Sequence, residues 1–207
     1  MSQYLKRWRL PALAVATASQ AFAQGQPGEF NFYTVKQVHT AGDLKTEGTL
    51  AEARNNGNLL SAWKANDETD QVWLSYNNGS PFTISPTTRT FVSPAVVAIG
   101  TSNFLVFHTG IDGQIYYAIV VGDHEAGGWI PIPGQTSNMA VSVAQIGGNA
   151  NNVYMVYRGS GNDTRVFGTW MNEHQEWSSP INLGGGLAVS PSAICLNNAG
   201  RAFGSRP

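Results

Sequence analysis

One cysteine, Cys195, stands in a chain of 207 residues, so no internal disulfide can form and stability must come from packing. Charged residues make up only 12% of the chain, which is too few to dress the outer faces of a set of amphipathic helices. After Gly25 there is no 3.6-residue periodicity long enough for a helix, and no apolar run approaches the ~20 residues of a membrane-spanning helix. Three further signatures are missing: a glycine-rich phosphate loop, a pair of cysteines at metal-ligand spacing, and a nucleophile elbow. Cys195 itself lies in the apolar run Ser192-Ala193-Ile194-Cys195-Leu196 and reads as a small buried hydrophobe.

Glycine (23 residues) and aromatics (11%) are plentiful instead, the mixture of short strands joined by tight turns. Residues 1–23 read as an export signal. Lys6-Arg7-Trp8-Arg9 is its basic end, Leu10 to Ala18 its short apolar run, and Ala21-Phe22-Ala23 its small-x-small cleavage pattern. The expected location is therefore secreted, either extracellular or periplasmic. Removing that segment takes away three cations and no acid, leaving nine bases against thirteen acids. A mildly acidic surface gives no electrostatic reason to expect nucleic acid or an anionic membrane as partner. Residues 24–48 read as a leader or an outer strand, with Phe30 to Val35 as its strand-like part.

From Thr49 to Pro207 the chain can be laid on itself. Trp63, Phe107 and Tyr157 each end a short apolar run, at spacings of 44 and 50 residues. A second run follows each: Gln71-Val72-Trp73-Leu74, Gln114-Ile115-Tyr116-Tyr117 and Arg165-Val166-Phe167-Gly168. Turn residues separate the two, as in Gly110-Ile111-Asp112-Gly113 and Gly159-Ser160-Gly161-Asn162-Asp163. Third runs open at Trp129 and Trp177, 48 residues apart, and Ser93-Pro94 recurs as Ser190-Pro191 after 97. A repeat of about 48 residues holding four short strands has the size of a propeller blade. The predicted fold is an all-β propeller with about three to four blades present as an incomplete ring, Met139–Leu187 being its best-formed unit. Units are expected to start near Thr49, Val92, Met139 and Val189, and the last breaks off within a strand. Such an arc is read as a truncated copy of a longer gene, with self-association of copies into a closed ring as the alternative.

Trp177-Ser178-Ser179-Pro180-Ile181-Asn182-Leu183-Gly184-Gly185, followed by Ser190-Pro191, resembles the blade junction of the seven-bladed, fucose-binding propeller lectins of bacteria and fungi. Val156-Tyr157-Arg158-Gly159 and Val106 to Gly113 are similar to that family's aromatic-Arg-Gly-x-Asp-Gly strand ending, with His108-Thr109 standing for Arg-Gly. The resemblance covers Thr49 to Phe203 and implies a secreted protein whose shallow pockets between blades bind sugars.

A sugar pocket needs an aromatic face for C–H stacking and planar polar groups for paired hydroxyls. Arg158, Trp170 and Trp177 are the candidates in one blade, and Trp129 with Tyr117 in another; each would serve equally as packing. For catalysis the acidic clusters are Asp67/Glu68/Asp70, Asp123-His124-Glu125 and Glu173-His174. All fall at expected hairpin tips, where charges are ordinarily just solvated. Three adjacent residues alternate direction on a strand, so Asp123-His124-Glu125 is a poor metal chelate. A sialidase-like glycoside hydrolase would show an arginine triad and Asp-box turns, and Gly110-Ile111-Asp112-Gly113-Gln114 lacks the Ser and Trp of that box. The expectation is a non-catalytic, lectin-like module that takes glycans or glycoconjugates, without cofactor or metal. The alternatives are a structural or protein-interaction propeller, a fragment without retained binding, and, least favoured, the hydrolase.

Overall fold

A computed structural model describes residues 49–66, 68–125, 127–146, 151–186 and 191, all within the unit Ala41–Pro207. The expected export signal, the 24–48 segment, Cys195 and the unit expected from Val189 lie outside the described residues, apart from Pro191. Twelve strands run in chain order: β1 (Ala51–Asn55), β2 (Asn58–Lys64), β3 (Val72–Tyr76), β4 (Ala95–Ile99), β5 (Asn103–Thr109), β6 (Gln114–Val121), β7 (His124–Glu125), β8 (Ile130–Thr136), β9 (Ser142–Gln145), β10 (Val153–Arg158), β11 (Val166–Met171) and β12 (Ile181–Gly184). They form three antiparallel meanders, β1-β2-β3, β4-β5-β6 with β7 and β8, and β9-β10-β11-β12. No helix occurs among the described residues. The result is an all-β, incomplete propeller-like arrangement of about three blades, called here sheets 1, 2 and 3.

Only sheet 3 has the simple four-strand form. In sheet 2 the fourth place is shared, because β7 pairs one end of β6 and β8 the other. In sheet 1 it shrinks to a bridge between Leu74 and Phe82. Prolines explain that loss: Pro81 and Pro86 flank the bridge, and proline has no N–H for a ladder.

The apolar runs around Trp63, Phe107 and Tyr157 are the second strands of their sheets. β2, β5 and β10 are buried along nearly their whole length, since each is paired on both edges and covered on both faces. The first strands β1, β4 and β9 lie side by side and bring the sheets together. Asn55, just before the tight Asn56-Gly57 turn, locks two of them. Its Nδ2 donates to the carbonyls of Ile99 and Asn103, each at 2.9 Å, on either side of the β4–β5 turn. Asn56 and Gly57 both have positive φ (47° and 84°), as a type I′ hairpin turn requires.

Strand alternation divides sheet 2 between two cores. Phe104, Val106 and Val120 meet Leu60, Ala62, Val72 and Leu74 of sheet 1. Leu105, Phe107, Ile115 and Tyr117 meet Val153, Met155, Tyr157 and Met171 of sheet 3. Each fully buried Phe, Leu or Met contributes about 1.5–3 kcal/mol of transfer free energy, so the two cores make sheet 2 the keystone.

Candidate functional site

Hairpin closure sets which residues of the three sheets correspond. The bonds Ala65 N–H to Gln71 O (2.9 Å), Gly110 N–H to Gln114 O (2.9 Å) and Gly159 N–H to Arg165 O (3.0 Å) are the same bond in each sheet. Trp63, His108 and Tyr157 therefore occupy one position, and Lys64, Thr109 and Arg158 the next. The sequence alignment had placed Phe107 with Trp63 and Tyr157; the true register is one residue later. A slip of one exchanges the two faces of a strand, so the correction changes what each junction contains. The aromatic-Arg-Gly-x-Asp-Gly pattern in sheet 2 becomes His108-Thr109-Gly110-Ile111-Asp112-Gly113.

At the arginine position every side chain is tied internally. Lys64 pairs with Asp70 at 2.8 Å. Thr109 Oγ1 donates to Met139 O at 2.8 Å. Arg158 is buried and donates from Nη1 to Asn138 Oδ1 at 2.6 Å. Asp70, expected among the solvated acids, is thus an ion-pair partner of a buried lysine. Glu173 and His174 are exposed in the turn that Asn172 closes onto Glu176.

The preceding position, at the junction of sheets 1 and 2, opens into a cleft of about 260 Å³. His108 is one of its lining residues, only 2% exposed. Its ring stacks on Tyr116 (centroids 5.1 Å apart, planes at 9°) and meets Trp129 edge-on at 4.4 Å. Neither ring nitrogen has a hydrogen-bond partner among the described residues, the backbone of Thr109 beside it being outside hydrogen-bond geometry. Burial pushes the His108 pKa down to about 4, opposed by the Thr109 backbone and the Asp112 charge. The imidazole is therefore neutral at physiological pH, and both its nitrogens are shielded from solvent.

Asp112 organises the rim. Its Oδ1 accepts from Gln114 N at 3.0 Å and its Oδ2 from the Tyr116 hydroxyl at 2.7 Å. That hydrogen bond, more than burial, raises the Tyr116 pKa. Gly110 makes the arrangement possible: a Cβ there would collide with Asp112 Oδ1 and come within 2.9 Å of the Tyr116 ring. Thr87, Thr88 and Arg89, from the link between sheets 1 and 2, form the opposite wall. The cleft offers two aromatic rings, a guanidinium and a fixed carboxylate. That set suits a small polyhydroxylated ring. Among the described residues no three His, Cys, Asp or Glu side chains are grouped to hold a metal ion.

The five residues singled out from sequence are distributed over three places. Trp129 lines the cleft. Tyr117 and Trp177 touch each other (5.8 Å between centroids), but inside the junction of sheets 2 and 3, where both also pack on Phe107. Arg158 and Trp170 lie on the far face of sheet 3, opposite the face that carries Tyr157 and Met171 into the core. Trp170 is 41% exposed there. His108, Tyr116, Asp112 and Arg89 were not picked out. The usable signal was Gly110-Ile111-Asp112-Gly113, whose Asp is held to a residue two positions on, as Asp163 is to Arg165.

No protein-family model and no curated protein sequence matches this chain. Solved structures do. The BP39L lectin of Burkholderia pseudomallei superposes with a TM-score of 0.53 at 18% identity, over 70% of this chain and 45% of that one. A triple arginine-to-alanine mutant of AofleA from Arthrobotrys oligospora superposes with a TM-score of 0.50 at 12% identity, over 74% of this chain and 47% of that one. The chain thus spans about half the length of the proteins it matches. At these identities the likeness is one of fold alone.

Proposed function

We propose that this is an exported, non-catalytic carbohydrate-binding protein that takes a glycan in the cleft between sheets 1 and 2. The observation that carries the reading is the cleft that sets the rings of Tyr116 and Trp129, fixed by the buried His108 between them, beside Asp112 and Arg89. The His108 ring packs against both and fixes them, its nitrogens being shielded from solvent. The aromatic faces stack on sugar C–H groups, while Asp112 and Arg89 reach the hydroxyls at the rim. The likeness in fold to a named lectin points the same way. Among the described residues Asp112 is the only carboxylate lining the cleft, and it is already engaged by Tyr116 and Gln114, unlike the carboxylate pair of a glycoside hydrolase. A glycan array, followed by calorimetry with the methyl glycosides of fucose, galactose, glucose and mannose, tests the reading. Saturable binding at millimolar sugar or below is expected; no binding to any of them contradicts it.

A further inference from the structure

A second hollow, of about 80 Å³, adjoins the cleft, and the two share Gly110 and Ile111 in their walls. Its rim carries Phe91, 68% exposed, beside Ile111, 52% exposed. Phe91 is the most exposed large apolar side chain among the described residues. Its position is imposed by the backbone on either side. Thr90 bridges Gly110, and its Oγ1 donates to Thr109 O at 2.7 Å and to Val92 O at 3.0 Å. Phe91 is thus pinned at the surface by a neighbour that is fully buried.

Thr109 and Ser137 beside this hollow are turned inward, while Asn138 is exposed and engaged through its Oδ1. Thr109 Oγ1 is bound to Met139 O, Ser137 Oγ donates to Met139 O at 3.1 Å, and Asn138 Oδ1 accepts from Arg158. What remains for a ligand is a largely apolar surface, with the Asn138 amide N–H at its edge and room for a short alkyl chain or an aryl ring. Exposed apolar side chains grouped beside a polar cleft are a mark of ligand contact.

We propose that the Phe91–Ile111 hollow is an aglycone subsite, so that the preferred ligand is a glycan carrying an apolar alkyl or aryl group, its sugar in the main cleft and that group across Ile111 on Phe91. The proposal rests on the sugar reading of the main cleft and adds the class of glycoconjugate. Covering these two side chains and the group itself corresponds to a gain in affinity on the order of tenfold.

The test is calorimetry on the full chain with methyl, phenyl and n-octyl glycosides of the same four sugars, the octyl compounds below their micellar concentration. The expected result is phenyl or octyl binding about tenfold tighter than methyl for the sugar that binds. The two arms tell an aryl-selective from an alkyl-selective subsite. Phe91→Ala should abolish that difference while leaving the methyl glycoside affinity unchanged, and Phe91→Leu should keep part of it. Equal affinity across the series, or a gain that survives Phe91→Ala, overturns the subsite while leaving the lectin reading in place. Absence of binding by every glycoside overturns both.

Discussion

The two junctions of sheet 2 are built on the same register and end in opposite states. Toward sheet 3, Phe107 and Tyr117 are covered by Trp177, and Tyr157 is stacked on Phe167 with centroids 5.5 Å apart. That junction is filled. Toward sheet 1, the position of Tyr157 holds His108, whose ring finds two aromatic neighbours but no polar partner, and a cleft remains. The hairpins differ as well: three residues close sheet 2 between Gly110 and Gln114, and five close sheet 3 between Gly159 and Arg165. One inter-sheet geometry can therefore be spent on stability or on a binding site, and the choice rests on a few side chains.

The comparison breaks first in the filled junction. Phe107→Ala should cost about 3–5 kcal/mol in urea unfolding, because its ring is fully buried among Tyr117 and Trp177. Trp129→Ala, on the wall of the open cleft, should cost about 1–2 kcal/mol. Equal losses would mean that the junctions do not differ as described.

Next in size is an acid effect confined to His108. Its folded pKa of about 4 lies below the ordinary 6.5, so the folded state disfavours the proton. Its share of stability is intact above pH 6.5 and is lost as the pH falls toward 4, by about 3 kcal/mol at the lower limit. His108→Leu should be nearly neutral in stability at pH 7, since an apolar side chain of similar size replaces an unpaired ring. It should lose less stability than the wild type between pH 7 and 4, and it should weaken glycan binding by loosening Tyr116 and Trp129. If the acid sensitivity of wild type and variant is identical, His108 is not the buried neutral group described.

The hairpin glycines sharpen the contrast at a lower level. Gly159→Ala sets a Cβ 2.9 Å from the Asp163 carbonyl oxygen, which is backbone and cannot step aside; Gly110→Ala meets the Asp112 carboxylate and the Tyr116 ring. Each should cost about 1–3 kcal/mol, Gly159→Ala the more. Only Gly110→Ala should also weaken glycan binding, by displacing Asp112 from Tyr116. Smallest is Arg165→Ala. Arg165 holds Asp163 at 2.8 Å and keeps its carboxyl pKa at about 2, yet both are exposed enough for solvent to screen the pair. No change in the urea midpoint is expected at moderate salt, while the Asp163 titration seen by NMR should move up toward the ordinary carboxylate range.

The repeat could be read from sequence because each sheet must bury a central strand, and that demand leaves similar apolar runs at similar intervals. The register could not. Phe104 to Thr109 are all buried, so no alternation of apolar and polar residues marks which face Phe107 takes. With Phe107 as the counterpart of Tyr157, His108 falls at the arginine position, whereas it occupies the aromatic one, across from Tyr116. The fourth strand of sheet 1 was obscured for another reason, since Pro81 and Pro86 reduce it to a single bridge. Within the cleft, Trp129 was legible as an aromatic that opens a strand. Thr87 to Arg89 were not, because they reach the cleft by a link that has no repeat in the other units. Trp177 looked equivalent to Trp129 and is placed differently: Ile130 follows Trp129 directly, whereas Ile181, its counterpart across the sheet, lies four residues beyond Trp177.

The most direct measurement follows the indole N–H signals of the tryptophans in ¹H–¹⁵N spectra during titration with the binding methyl glycoside. The account predicts that Trp129, in the open cleft, shifts to saturation while Trp177, in the filled junction, and Trp170, on the far face of sheet 3, stay in place. Movement of Trp170 or Trp177 with Trp129 unmoved would contradict it.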